Sequence, residues 1–151
     1  MCSRHRFASA RILISAIVLT SVMLSACVIG CTTTNTPADP EGAIHAYVMA
    51  FNRGDGEAVY SMLSGDAQSR QSRIETMILV DDYMTNEMFF SDLRVLDVQY
   101  TDSTRATASI AFTLVFAESH IPRNKTVLLI KEGNDWKLTH VYTPAGCSVC
   151  G

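Results

Sequence analysis

The chain has 151 residues, 48% of them hydrophobic and 18% charged, with a formal net charge of −3. That length accommodates one domain of ordinary size with a sizeable core. The acidic balance excludes nucleic acid as a partner, because phosphate backbones are held by basic stripes, and the nearest candidates, Arg123 and Lys125, are isolated charges.

Residues 1–26 have the three parts of a secretory signal: a basic start with Arg4, Arg6 and Arg11, an apolar stretch from Ile12 to Leu24, and small residues ahead of a cut. The apolar stretch is shorter than the ~20 residues a helix needs to span a bilayer. It closes on Leu24-Ser25-Ala26-Cys27, which resembles the lipobox of prokaryotic lipoproteins, where the cysteine is lipidated and becomes the mature N-terminus. The resemblance implies an extracytoplasmic protein held to the cell membrane through an acylated Cys27, two or three chains anchoring far more firmly than one. Two other readings stay open. Val28-Ile29-Gly30-Cys31 fits the same pattern loosely, which would move the lipid to Cys31, and an uncut segment would serve as a helical anchor. Loss of three of the twelve basic residues with the signal leaves nine against fifteen acids, a net of −6.

Residues 27–39 continue as a Thr-rich tether, since Thr32 to Pro37 carry too little apolar surface to offset the entropy of ordering. A domain is predicted over residues 40–143. Asp39 is a helix N-cap and Pro40 is preset for the first turn, with Ile44, Tyr47, Val48 and Phe51 at helical spacing and Gly54 as the stop. Asp55 caps a second short helix with Val59, Met62 and Leu63 inward. After Ser64-Gly65, a third helix is predicted from Gln68 to Met84, with Ile74, Met77, Ile78 and Tyr83 facing the core.

The period then changes to two. Leu93, Val95, Val98 and Tyr100 predict a strand with a phase slip near Leu96-Asp97, the signature of a bulge. From Ala106 to Phe116 the alternation is clean, Ala106, Ala108, Ile110, Phe112, Leu114 and Phe116 sharing one face. A loop is predicted at Ser119 to Asn124, then strands over Lys125 to Lys131 and Trp136 to Tyr142 joined by the turn Glu132-Gly133-Asn134-Asp135.

Helices followed by an antiparallel meander make an α+β fold, N-terminal helices packed on a curved antiparallel sheet. The stretches Phe51-Asn52-Arg53-Gly54-Asp55, Ala58 to Ser64 and Gly133-Asn134-Asp135-Trp136-Lys137-Leu138 resemble the nuclear transport factor two-like, or cystatin-like, superfamily, and in particular its small lipoprotein members of unassigned function. That resemblance implies a cone with a pocket between sheet and helices. Enzymatic members place an acid or a His, often with a Tyr, on its inner walls. Candidate pocket residues are therefore Tyr47, Tyr83, Asp97, Tyr100 and His140, none of them carried over by a motif match. His140 alternates with Trp136, Leu138 and Tyr142, so it faces wherever the tryptophan faces. No catalytic motif stands out, which favours a non-enzymatic module binding a small ligand or an envelope protein, a second copy among the candidates; the alternative is a small-molecule enzyme of isomerase or dehydratase type.

The remaining features point to no cofactor and no metal. Asp81-Asp82 lacks the alternating oxygens and glycine of a calcium loop, and Met77, Met84 and Met88 read as adaptable packing. In the tail, residues 144–151, Cys147 and Cys150 supply half of a zinc site without a second pair. A disulfide is the leading reading, either between Cys147 and Cys150 or from one of them to Cys31. Asn124-Lys125-Thr126 is a glycosylation sequon.

Overall fold

The computed structural model describes residues 38–145. The stretch read as a secretory signal, with Leu24-Ser25-Ala26-Cys27, and Cys31, Cys147 and Cys150 lie outside the described residues. The chain runs as α1 (Pro40–Asn52), α2 (Gly56–Ser61), α3 (Gly65–Arg70), α4 (Arg73–Thr85), β1 (Met88–Tyr100), β2 (Arg105–Phe116), β3 (Ser119–Glu132) and β4 (Asp135–Leu138). The strands form one antiparallel sheet in chain order, a curved meander with the helices packed on one face.

Helix α1 forms where the caps place it. The Asp39 carboxylate accepts from the Gly42 amide at 2.7 Å, one of the donors a helix start leaves unpaired. Ile44, Tyr47, Val48 and Phe51 are buried as the spacing predicts, each such side chain contributing roughly 1.5–3 kcal/mol. Gly54, at φ 71, takes the left-handed turn that ends the helix. Asp55 then caps α2 through the Ala58 amide, and Val59 and Leu63 are buried.

The helix expected over Gln68 to Met84 is two helices. Gln71 is extended, and Ser72 starts α4 afresh with a capping box: its hydroxyl accepts from the Glu75 amide while the Glu75 carboxylate accepts from the Ser72 amide at 2.8 Å. The inward face of α4 also differs. Thr76 and Val80 are buried and Tyr83 is half-buried, whereas Ile74, Met77 and Ile78 are exposed. Thr76 tolerates burial because its hydroxyl donates to the Ser72 carbonyl at 3.1 Å. Gly56 sets the approach, since a Cβ there would lie 2.7 Å from the Met77 Cα.

Strand β1 begins at Met88, five residues before the apolar pattern signalled it, and the added segment puts Phe90 into the core. The Asn52 side chain replaces a neighbouring strand there, donating to the Phe90 carbonyl at 2.7 Å and accepting from its amide at 3.0 Å. The predicted slip is present: Val95 faces Ile110 and Asp97 faces Ser109, leaving Leu96 as the extra residue. A second irregularity lies between Ser91 and Arg94, with Asp92 at φ 51.

The loop expected at Ser119 to Asn124 is strand. Ala117 and Glu118 alone turn the chain, and β3 pairs with β2 from Ser119 onward. Pro122 is accommodated because β4 pairs only with Leu129 to Glu132, so Pro122 lies where β3 is a sheet edge and a missing N–H costs no ladder bond. The last strand is shorter than Trp136 to Tyr142. It stops at Leu138, whose amide donates to the Met62 carbonyl and whose carbonyl accepts from Ser64, so the end of α2 captures the chain. His140 consequently loses the alternation that would have aligned it with Trp136.

Candidate functional site

The space between helices and sheet is occupied by a chain of rings. Phe51 packs 6.3 Å from Tyr47 and edge-on to Tyr83 and Phe90 at 5.6 and 5.3 Å, and Phe90 meets Phe112 at 5.0 Å. Such edge-to-face pairs add roughly 0.5–1.5 kcal/mol beyond burial. Trp136 is buried as its place in the last strand predicts, with Tyr100 edge-on at 5.9 Å.

The five candidate pocket residues are not gathered in one place. Tyr47 is buried in α1, where its hydroxyl donates to the Tyr142 carbonyl at 2.9 Å and accepts from the Tyr142 amide at 3.0 Å. Burial pushes this phenol far above its usual range, only partly opposed by the bond to the Tyr142 backbone. Tyr83 donates to the Thr143 hydroxyl at 3.0 Å. Both tyrosines clamp the C-terminal segment rather than offering a proton to a ligand. Asp97 pairs with Ser109, hence faces outward from the sheet, is exposed, and accepts from the Gln99 side-chain Nε2 at 2.8 Å. Tyr100 lies on the inner face at the strand end and is 60% exposed.

His140 is half-buried in the bend after β4, its Nδ1 2.9 Å from the Thr139 hydroxyl and its ring edge-on to Tyr142 at 6.1 Å. It borders a crevice of about 10 Å³ with Ala67, Arg70, Gln71 and Val141, room for roughly one water. Arg70 is held there by Asp66 and by the Thr139 carbonyl. Tyr142, the residue sequence reasoning passed over, connects the core: its hydroxyl accepts from the Leu128 amide at 2.9 Å, and burial raises its phenol as well. Among the described residues, every buried side-chain nitrogen or oxygen has a hydrogen-bond partner. No orphaned polar atom among them points into the interior.

Two larger hollows among the described residues open on the surface. One, of about 320 Å³, is bounded by Gly54, Gly56, Met77, Ile78 and Asp81. Another, of about 200 Å³, lies around Arg105, Leu128, Ile130 and Thr139. Among the described residues, no three His, Cys, Asp or Glu side chains form a metal-sized cluster, and no helix is long and apolar enough to cross a membrane.

No protein-family model and no curated protein matches the chain. Solved structures do. A SEC-C motif containing protein from Rhodopseudomonas palustris superimposes with a TM-score of 0.58 at 14% identity, over 68% of this chain and 76% of its own. An NTF-2 like protein of unknown function from Shewanella oneidensis gives 0.50 at 16% identity, over 64% and 88%. A putative calcium/calmodulin-dependent protein kinase type II association domain from Thiobacillus denitrificans gives 0.51 at 13% identity, over 66% and 89%. The fold is the nuclear transport factor two-like α+β cone. At these identities the likeness carries no chemistry with it.

Proposed function

We propose that the chain is a cell-envelope lipoprotein, anchored outside the cytoplasm through acylated Cys27, whose cone domain is a non-enzymatic binding or interaction module. The anchoring is supported by Leu24-Ser25-Ala26-Cys27 and the apolar stretch before it. In an oxidising compartment the tail cysteines would form a disulfide, either between Cys147 and Cys150 or from one of them to Cys31.

The observation that carries the non-enzymatic reading is the placement of the candidate polar groups, which the hydrogen bonds of the described residues turn away from a common point. Isomerase or dehydratase chemistry needs an acid and a His or Tyr converging on a substrate-sized void. Here Tyr47 spends both hydrogen-bonding directions on the Tyr142 backbone, Asp97 faces away from the helices, and His140 borders a crevice with room for about one water.

Two measurements test this. Intact mass of the membrane-extracted protein should begin at Cys27 with added acyl mass, and Cys27→Ala should move the protein to the aqueous phase of a detergent separation. Another N-terminus, or identical partition of both forms, overturns the anchoring. Xenon should leave the resonances of Phe51 and Phe112 unshifted; saturable uptake beside those rings would reveal a void and reinstate the enzymatic reading.

A further inference from the structure

Ile74 and Ile78 are 69% and 63% exposed on α4, the two most exposed large apolar side chains among the described residues. With Asp81 and Thr85 they form one row along the helix, turned away from the buried Thr76 and Val80. On the Met77 side α4 is covered by α2: Gly56 lies against Met77, Gly54 against Met84, and Glu57 pairs with Arg73. The row itself stays open. Where it meets α2, the seam between the helices widens into the hollow of about 320 Å³ bounded by Gly54, Gly56, Met77, Ile78 and Asp81. Singly exposed apolar residues are ordinary, but two of them one turn apart beside a hollow mark a contact surface.

The charges around this row select its occupant. Residues 53–57 and 73–85, which frame the hollow, carry five carboxylates, Asp55, Glu57, Glu75, Asp81 and Asp82, against two guanidinium groups, Arg53 and Arg73. Arg73 is taken up by Glu57 on the covered side. Glu75 and Asp82 flank the row beyond Ile78, and the Asp81 carboxylate within it makes no ion pair or hydrogen bond among the described residues. A second copy offering the same face would set carboxylate against carboxylate, and an anionic bilayer surface is repelled in the same way. The complement is a surface both apolar and basic. A row of side chains beside a seam parallel to the helix axis accepts the ridge of another helix.

We propose that the open face of α4 is the docking site for a basic amphipathic helix of a partner protein. One apolar side chain of that helix enters the hollow beside Ile78, others cover Ile74, and its Lys or Arg residues reach Asp81 and Asp82. The inference rests on the reading of the domain as an interaction module, and not on its anchoring. So few contact residues fall short of the roughly 20–30 a side of a standard interface, so the complex is weak, with a dissociation constant in the micromolar range or above.

The test uses the full chain in non-ionic detergent and two synthetic peptides of about 18 residues, long enough to form a helix. Both carry Leu along one face; the polar positions are Lys in one and Glu in the other. Binding is followed by anisotropy of the labelled peptide, and its place by the methyl resonances of Ile74 and Ile78. The Lys peptide should bind saturably and shift both methyls, and the Glu peptide should bind at least ten-fold more weakly. Ile78→Gln should weaken the Lys peptide by about ten-fold and Ile74→Gln in the same direction, with melting temperatures unchanged because both positions are exposed. Asp81→Lys should weaken it by about five-fold at low salt and by less at high salt. Partition of peptide into micelles is common to wild type and variants, so it cannot produce these differences. Equal binding of the two peptides, binding insensitive to the substitutions, or shifts confined to other methyls would overturn the proposal. A concentration-dependent dimer, or adsorption to anionic vesicles, that Ile78→Gln abolishes would also overturn it while leaving the interaction reading in place. Xenon uptake into the interior would fail that reading separately.

Discussion

Replacing Tyr47 by Phe deletes one oxygen atom and leaves the ring where it packs on Phe51. The hydroxyl it removes serves both the amide and the carbonyl of Tyr142, a residue 8% exposed, so both backbone groups are left in a dry environment without partners. An unsatisfied buried group costs about 1–3 kcal/mol, and two sharing one lost partner should cost about 2–4 kcal/mol together. That is a large fraction of the ~5–15 kcal/mol that holds a domain of this size. The single tryptophan, Trp136, is buried, so urea unfolding followed by its fluorescence reports the loss directly. The pH dependence supplies a second signature. Burial raises the Tyr47 phenol in the folded state above its unfolded value near ~10, so its contribution is complete below that pH and is lost as the solution becomes more alkaline. Tyr47→Phe should therefore be least stable relative to wild type at neutral pH and show a shallower alkaline decline, the remainder coming from Tyr142. A loss under about 0.5 kcal/mol at neutral pH, within the range of an inconsequential surface change, would refute the clamp.

Trp136→Ala should cost about 3–5 kcal/mol and leave residues 38–151 unfolded or nearly so by circular dichroism; a melting temperature within a few degrees of wild type would mean the ring is not part of the core. Gly56→Ala forces a Cβ against the Met77 backbone and should destabilise by about 1–3 kcal/mol. Gly65→Ala, whose Cβ would meet nothing nearer than Glu132 Oε1 at 3.9 Å, should be neutral or stabilising in the same thermal melt. Ser72→Ala removes the cap of α4 at a cost of about 1 kcal/mol. The Ser72 amide and hydroxyl hold the Glu75 carboxyl below its ordinary value, so their benefit is present above the unfolded value near ~4.3 and lost as pH falls through the folded one. The gap between Ser72→Ala and wild type should therefore narrow in acid, and a gap that widens there would contradict the capping box.

What the sequence determined by itself is what local rules decide. Asp39 and Pro40 start α1 and Gly54 stops it, because capping and left-handed φ involve only neighbouring residues. The alternation of β2, the extra residue at Leu96 and the Glu132–Asp135 hairpin are equally local, written in a period of two and its interruptions. The resemblance to the cone fold rests on stretches of the same local kind, Phe51 to Asp55, Ala58 to Ser64 and Gly133 to Leu138. Tertiary structure decided matters that depend on partners far along the chain. Ile74, Met77 and Ile78 have the spacing of a core stripe, yet Gly56 lets α2 approach the backbone at Met77 and α4 settles on Thr76 and Val80. Pro122 reads as a loop until the shortness of β4 leaves it on a free edge. His140 and Tyr142 look like the continuation of a strand until Met62 and Ser64 bind Leu138 and turn the chain toward Tyr47. The candidate site dispersed for the same reason: hydrogen bonds between residues as distant in sequence as Tyr47 and Tyr142 have no periodic trace, and only the closed fold brings their atoms within 3.0 Å.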